Sequence, residues 1–326
     1  MDMTHASVTF TVVVPSFNQG RFIDDTLRSL LDQHYPHLEI LVIDGGSTDD
    51  TVERLRRYGG HITWLSENDD GQSDAIAKGF ARAKHEWITW LNSDDVQCHS
   101  ALWVVNDLIS MSEDIDVVFG RGHYMDINGE NCRPYPTIAV DEGGDVLREL
   151  FGKGYVAQPS VFFRKSAYER IGGIDRTLKF CMDYDLWVRL ALARCRFASC
   201  PTDLSGNRWY EETKTSGQLL DLLAEVMAVQ VKHFGRVSPY FVQAVSDNLY
   251  QKVHAKNLGD KHHLIYRTLY FKTVWLWFNA RRPLYCIYGL FFESIAKSGP
   301  IVGDKLEFCD YWAGIKQMVT NKLLKR

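Results

Sequence analysis

The 326-residue chain is 45% hydrophobic and 24% charged, which excludes a disordered or fibrous protein and leaves room for a substantial core and two domains. Its formal charge of −4 is unevenly spread: residues 218–326 hold 15 Lys and Arg against 8 Asp and Glu, and the residues before them 22 against 33. The acidic front argues against nucleic acid as its ligand, and the basic tail is suited to an anionic surface.

Residues 8–15 (VTFTVVVP) form a β-branched run fit for a buried parallel strand, followed by the turn residues Ser16, Asn18 and Gly20. Ile23, Leu27, Leu30 and Leu31 then line one face of a helix that ends before Pro36. A second strand (EILVID, 39–44) runs into Gly45, Gly46, Ser47 and Thr48, whose hydroxyls cap a helix around Val52 and Leu55. Residues 61–66 supply a third strand, and Ile76 and Phe80 mark a third helix. The fourth strand, WITWL, ends in Asn92, Ser93, Asp94 and Asp95. This alternation predicts a mostly parallel α/β sheet with every strand's carboxyl end on one rim, so that Asp44 and Asp94 share it.

A helix with Leu102, Val105, Leu108 and Ile109 and a strand over 115–119 continue the layer. Residues 121–154, rich in Gly, Pro and Asp, predict an irregular excursion. Residues 155–163 read as a strand that Pro159 confines to an edge or a bulge. Residues 180–193 open with acids and become a helix. Beyond Gly217 the texture is helical, which places a domain boundary at 217/218. Residues 266–292 combine ten aromatic residues with Arg267, Lys272, Arg281 and Arg282. They fit either a helix lying in the headgroup layer of a membrane or an appendage packed on protein.

The seven cysteines form no C-x-x-C pair and read as reduced thiols. The first residues lack the pattern of a signal peptide, and no apolar run reaches the ~18 residues of a membrane span. The expected location is the cytoplasm, with peripheral contact at the inner face of the membrane.

The acidic end of the fourth strand has two readings. Asn, Ser and Asp are good turn formers; carboxylates at the carboxyl end of a strand in an open α/β sheet also hold a hard divalent cation that touches a phosphate. In order and spacing, VVVPSFNQGRFIDDTLRSLLDQ, VIDGGSTDDT, ENDDGQSDAIAKGFARA, ITWLNSDD and MDYDLWVRL resemble the inverting nucleotide-sugar glycosyltransferases of family 2, over about residues 8–215. The resemblance implies a GT-A fold, a nucleotide diphosphate sugar donor and a Mg²⁺ or Mn²⁺ cofactor. It places Pro15 and Ser16 on the floor of the donor site, with Asp44 accepting the N3–H of a uracil-like base. Gly71 and Asp74 follow in the third motif.

In the Asp-x-Asp metal motif, Asn92 stands at the first position, so the ion rests on Asp94 with Asp95 as helper. The motif before the Leu-Trp helix assigns Asp183 as the base that deprotonates the acceptor, with Gln158 and Asp185 on the acceptor side. Arg208 and Lys214 match a loop that closes over the donor, where they meet the diphosphate or stand as solvated basic residues. The QxxRW pattern of processive synthases is missing, so single-sugar transfer to a glycan or lipid-linked saccharide is expected. The rival reading is a non-catalytic nucleotide-sugar or carbohydrate binding protein with a degraded metal site.

Overall fold

The structure, a computed structural model, describes residues 7–138, 145–153, 156–210 and 218–254. The chain divides into two compact units. One comprises Met1–Leu150 with Gly154–Ser216, the other Phe151–Lys153 with Gly217–Arg326.

The first unit is built on a nine-stranded sheet. Strand β1 (Phe10–Ser16) is buried along its whole length, as its near-continuous apolar run requires. It pairs in parallel with β2 (Leu38–Asp44) and β4 (Trp87–Trp90), and β2 pairs in parallel with β3 (Thr63–Ser66). Register sets the rim: Ser16 lies opposite Asp44, Asp44 opposite Ser66, and Val13 opposite Trp90. The Leu91 N–H then reaches Val13 O at 2.9 Å, which brings residues 92–95 out on the same side.

Between these strands run helices α1 (Gly20–Leu31), α2 (Thr51–Arg57) and α3 (Gln72–Arg82). Helix α1 buries Ile23, Leu27 and Leu30 against Val12, Val14 and Val42. Helix α3 approaches β1 so closely that a Cβ on Gly79 would stand 2.3 Å from a Val13 methyl, so only glycine fits there.

The second half of the sheet brings antiparallel partners. After β5 (Val96–Gln97) and α4 (Ala101–Met111) come β6 (Val117–Met125), β7 (Arg133–Pro134) and α5 (Val146–Gly152). Then follow β8 (Val161–Arg164), α6 (Lys165–Arg170), α7 (Met182–Leu192) and β9 (Phe197–Arg208). The strand order is β3-β2-β1-β4-β8-β6-β9-β5, with β7 on β6. Strand β8 is antiparallel to both β4 and β6, whereas β6 and β9 are parallel.

Three expectations are corrected here. Pro159 does not push its strand to an edge: it sits in a 3₁₀ turn, Gln158–Ser160, and the strand after it lies between β4 and β6. The residues after Arg121 are not all irregular, because β6 runs on to Met125 and forms a hairpin with β7. Asn207 and Arg208 end a twelve-residue strand rather than opening a loop.

The described part of the second unit is helical. Helices α8 (Leu219–Phe234) and α9 (Pro239–His254) meet at Gly235, whose φ of 68° makes the left-handed end of α8. Gln230 ties the turn by accepting the Ser238 N–H at 2.8 Å and donating to Phe151 O at 2.9 Å. The aromatic stretch 266–292 lies outside the described residues. Among those that are described, no helix is long and apolar enough to cross a membrane.

Candidate active site

The carboxyl ends of β1, β2 and β3 assemble the first part of the rim. Asp44 is fully buried, and its carboxylate accepts four hydrogen bonds, three on Oδ2 and one on Oδ1. It accepts the Ser66 hydroxyl at 2.6 Å, the Ser47 N–H at 2.9 Å, the Gly46 N–H at 3.2 Å and the Ser47 hydroxyl. The Ser47 hydroxyl in turn accepts the Asn18 N–H at 2.7 Å, so its direction is fixed. Beside Asp44, the Ser16 hydroxyl is buried without a hydrogen-bond partner among the described residues. An orphan of this kind costs about 1–3 kcal/mol and marks a place where a ligand atom completes the bonding. Phe17, the next residue, is 59% exposed at the mouth of the strand.

Strand β4 delivers the second part. Asp94 is half-buried; burial pushes its carboxyl up, and the Tyr210 hydroxyl, donating to Oδ2 at 2.9 Å, works against that. Asp95 is buried, and burial with the neighbouring Asp94 charge pushes its carboxyl well above the usual range. Both Asp95 oxygens are engaged, one by the Arg208 N–H at 2.8 Å and the other by the Asn92 amide at 3.0 Å. The Asn92 oxygen accepts from Gln72 at 2.7 Å. Gln158 donates to Trp90 O at 2.8 Å and receives the Asn92 amide at 3.4 Å.

The third part is the first turn of α7. Asp183 is half-buried there, and its Oδ1 accepts the Tyr184 N–H at 2.8 Å. The helix is seated by Trp187, which stacks on Trp90 at the end of β4.

Residues 11–172 match the family profile of glycosyl transferase family 2. The chain carries a family 2 glycosyltransferase domain.

Among curated relatives of this family 2 domain is an uncharacterized glycosyltransferase of Rickettsia prowazekii, 25% identical over 189 residues, which are 55% of this chain and 57% of that protein. A Bacillus subtilis protein named as a teichuronic acid biosynthesis glycosyltransferase, TuaG, is 37% identical over 98 residues, 28% of this chain and 38% of its own. The match spans as little as 27% of another Rickettsia relative's length. Among solved structures, S. aureus TarS 1-349 in complex with UDP-GlcNAc has a TM-score of 0.56 at 16% identity and covers 82% of each chain. The mannosyltransferase PcManGT from Pyrobaculum calidifontis, in complex with GDP-Man and Mn²⁺, has a TM-score of 0.53 at 15% identity, covering 99% of this chain and 87% of its own. At these identities the likeness is one of fold.

Not every residue expected at the site of the family 2 domain is brought to open rim. Pro15, Ser16, Asp44, Asn92, Asp94 and Gln158 meet at the strand ends. Gly71 turns at φ 109°, a conformation that favours glycine, and its N–H donates to Asp69 Oδ1 at 2.8 Å. Asp74 does not face open space. Burial pushes its carboxyl up, but Lys78 at 3.1 Å, the Asp70 N–H and Arg176 at 2.9 Å hold it below the usual range.

Asp185 is corrected outright as an acceptor-side residue, being fully buried and paired with Arg189 Nε at 2.6 Å. Asp95 lies buried beside Asp94, and each of its oxygens accepts one protein donor. Arg208 is corrected as a diphosphate contact. Its guanidinium donates to Asp94 O and Ile127 O at 2.8 and 2.7 Å, pairs with Asp25 at 3.3 Å and covers the Phe22 ring. Lys214 lies outside the described residues.

Three residues of this rim carry little signal in the sequence. Ser66 and Phe17 have none beyond their place at strand ends. Tyr210 lies in a segment whose charged residues, Arg208 among them, dominate its pattern.

No group of three or more His, Cys, Asp or Glu suited to a metal exists among the described residues. Of the rim carboxylates, Asp94 is the one that could hold a divalent ion, as a single protein ligand.

Proposed function

We propose that the chain is an inverting glycosyltransferase that moves one sugar from a UDP-linked donor to a glycan or lipid-linked saccharide in bacterial surface polysaccharide assembly. The observation that carries this is the shared rim: Asp44 with a single donor on Oδ1, beside the orphan Ser16 hydroxyl, Asp94 two strands away, and Asp183 on a helix stacked against Asp94's own strand. The name of the TuaG relative supports the polysaccharide setting, and the UDP-GlcNAc in the TarS complex supports the donor class.

In this reading the base lies on the Phe17 ring. Its N3–H donates to Asp44 Oδ1, whose partner is the Ser47 hydroxyl. Cytosine has no N3–H, so the carboxylate selects against it. The Ser16 hydroxyl gains the partner it lacks. Asp183 takes the proton of the acceptor hydroxyl as that oxygen attacks the anomeric carbon from the face opposite the diphosphate. Asp94 would hold Mg²⁺ or Mn²⁺, which when bound would supply charge neutralisation to the diphosphate. Asn92, Asp95 and Arg208 hold Asp94 in place.

Thermal shift against UDP, CDP and GDP, each with and without Mn²⁺, tests the reading, since selective binding stabilises the native state by mass action. UDP with Mn²⁺ raises the melting temperature and CDP does not. No shift with any nucleotide sinks the donor site. The second reading, a non-catalytic binding protein, is favoured by one observation: Asn92 and Asp95 are both spent on protein contacts. Binding of UDP without turnover of any UDP-sugar would establish it.

A further inference from the structure

Beyond the donor rim, the ends of β6, β7 and β9 carry an aromatic cluster that the proposed chemistry leaves unused. Tyr124 packs on Tyr135 with centroids 4.8 Å apart and edge-on against Trp209 at 5.4 Å. The Arg133 guanidinium lies over the Tyr124 ring at 4.5 Å. Trp209 is 38% exposed, so a large apolar surface is presented to solvent where burial is the ordinary fate of tryptophan.

The cluster is fixed relative to the acids. The Trp209 N–H is bound to Met125 O at 2.8 Å. Its two chain neighbours are pinned to the rim, Arg208 on Asp95 and Asp94 O, and Tyr210 on the Asp94 carboxylate. Tyr210 is braced further by Phe22, 5.2 Å away. The exposed indole is therefore one residue from each anchor of the acidic pair. Next to it, the Asn207 Oδ1 is buried with no hydrogen-bond partner among the described residues, which leaves a polar atom beside an apolar platform.

An apolar face beside a few fixed polar atoms matches a sugar ring, whose C–H face stacks on aromatic carbon while its hydroxyls bond at the edge. We propose that Trp209, with Tyr124 and Tyr135 behind it, is a saccharide-stacking subsite that holds a pyranose of the acceptor against the rim. Arg133 closes one face of Tyr124 and so directs the ring toward Trp209 and Tyr135. As an acceptor site this rests on the glycosyltransferase reading; as a carbohydrate site it does not.

The test is saturation-transfer NMR on the full chain with maltotriose, cellotriose and chitotriose, run beside the UDP and Mn²⁺ thermal shift. At least one trisaccharide receives saturation at its ring C–H protons. Trp209→Ala weakens its binding about tenfold, in line with the energy of an aromatic contact, and Trp209→Phe keeps most of it. Trp103→Ala, removing an exposed tryptophan of α4, leaves binding unchanged. No transfer to any trisaccharide, or transfer undiminished in Trp209→Ala, overturns the subsite. Saccharide binding lost in Trp209→Ala with no UDP shift in the wild type keeps the subsite and removes the donor reading; a UDP shift with no saccharide binding does the reverse.

Discussion

Trp187 stacks on Trp90 with ring centroids 5.6 Å apart and planes 19° from parallel. Trp90 is the last residue of β4, two before Asn92, and Trp187 lies four residues after Asp183, on the same helix face. One apolar contact thus sets the distance between the strand that presents Asp94 and the helix that presents the base. Phe163 and Phe80 pack edge-on around Trp90 and stiffen it.

Trp187→Ala is expected to cost about 3–5 kcal/mol by cavity formation, read by urea unfolding. Trp187→Phe costs less, because it also removes an indole N–H that is buried without a partner among the described residues. In Trp187→Phe, assayed well below its melting temperature, transfer still falls while the UDP shift is kept.

Asp183→Asn removes the proton acceptor and little volume. Transfer is expected to drop by roughly 10²–10⁴-fold, the range of general-base catalysis, with the saccharide and UDP signals intact. Undiminished transfer would remove Asp183 from the mechanism and leave it as the helix-start acid that its bond to the Tyr184 N–H already makes it.

Arg208→Met separates structure from donor binding at one position. The substitution strips Asp94 O and Ile127 O of their donors, an expected loss of about 2–4 kcal/mol. Arg208→Lys does not restore it, since an ammonium cannot span the fork. Unchanged stability with lost UDP binding would return Arg208 to the diphosphate.

Asp74 predicts part of the acid limb of stability. Its folded carboxyl is held below the unfolded value, so its contribution is present above that value and is lost as pH falls through the folded one. The window lies below about pH 4. Asp74→Asn should flatten the decline there relative to wild type, by little, because Arg176 is 58% exposed. A parallel pair of pH–stability curves would refute it.

The first half of the fold was legible because its strands are unbroken β-branched runs ending at Gly, Ser and Asp, and its helices carry apolar residues at helical spacing. Strand β9 was not: FASCPTDLSGNR holds Pro, Gly and polar residues, and its pairing with β6 supplies what its own propensity lacks. Strands β5 and β7, two residues each, are too short to leave a pattern. At the site, residue type located Asp44 and Asp94 but not the direction of a side chain. The partners of Arg208 sit at Asp25, Asp94 and Ile127, and nothing local in the sequence connects them. Burial and the pairing with Arg189 set Asp185 apart from Asp183.

The ladder between β6 and β9 shifts register twice, between Phe119 and Arg121 and again between Arg121 and Gly122, and β9 spends three extra residues in crossing this break. Gly120 lies at the break, where a Cβ would meet Leu204 at 2.5 Å. Beyond it the count is strict: Tyr124 faces Asn207 and Met125 faces Arg208. Neighbouring residues of a strand point to opposite faces, so a one-residue insertion or deletion after the break would turn Arg208 and Trp209 each to the opposite face. The guanidinium would leave the side of the acids and the indole would turn to it. The length of this terminal run is thus a coding constraint in its own right: its composition can drift so long as the anchoring residues stay, whereas its residue number cannot.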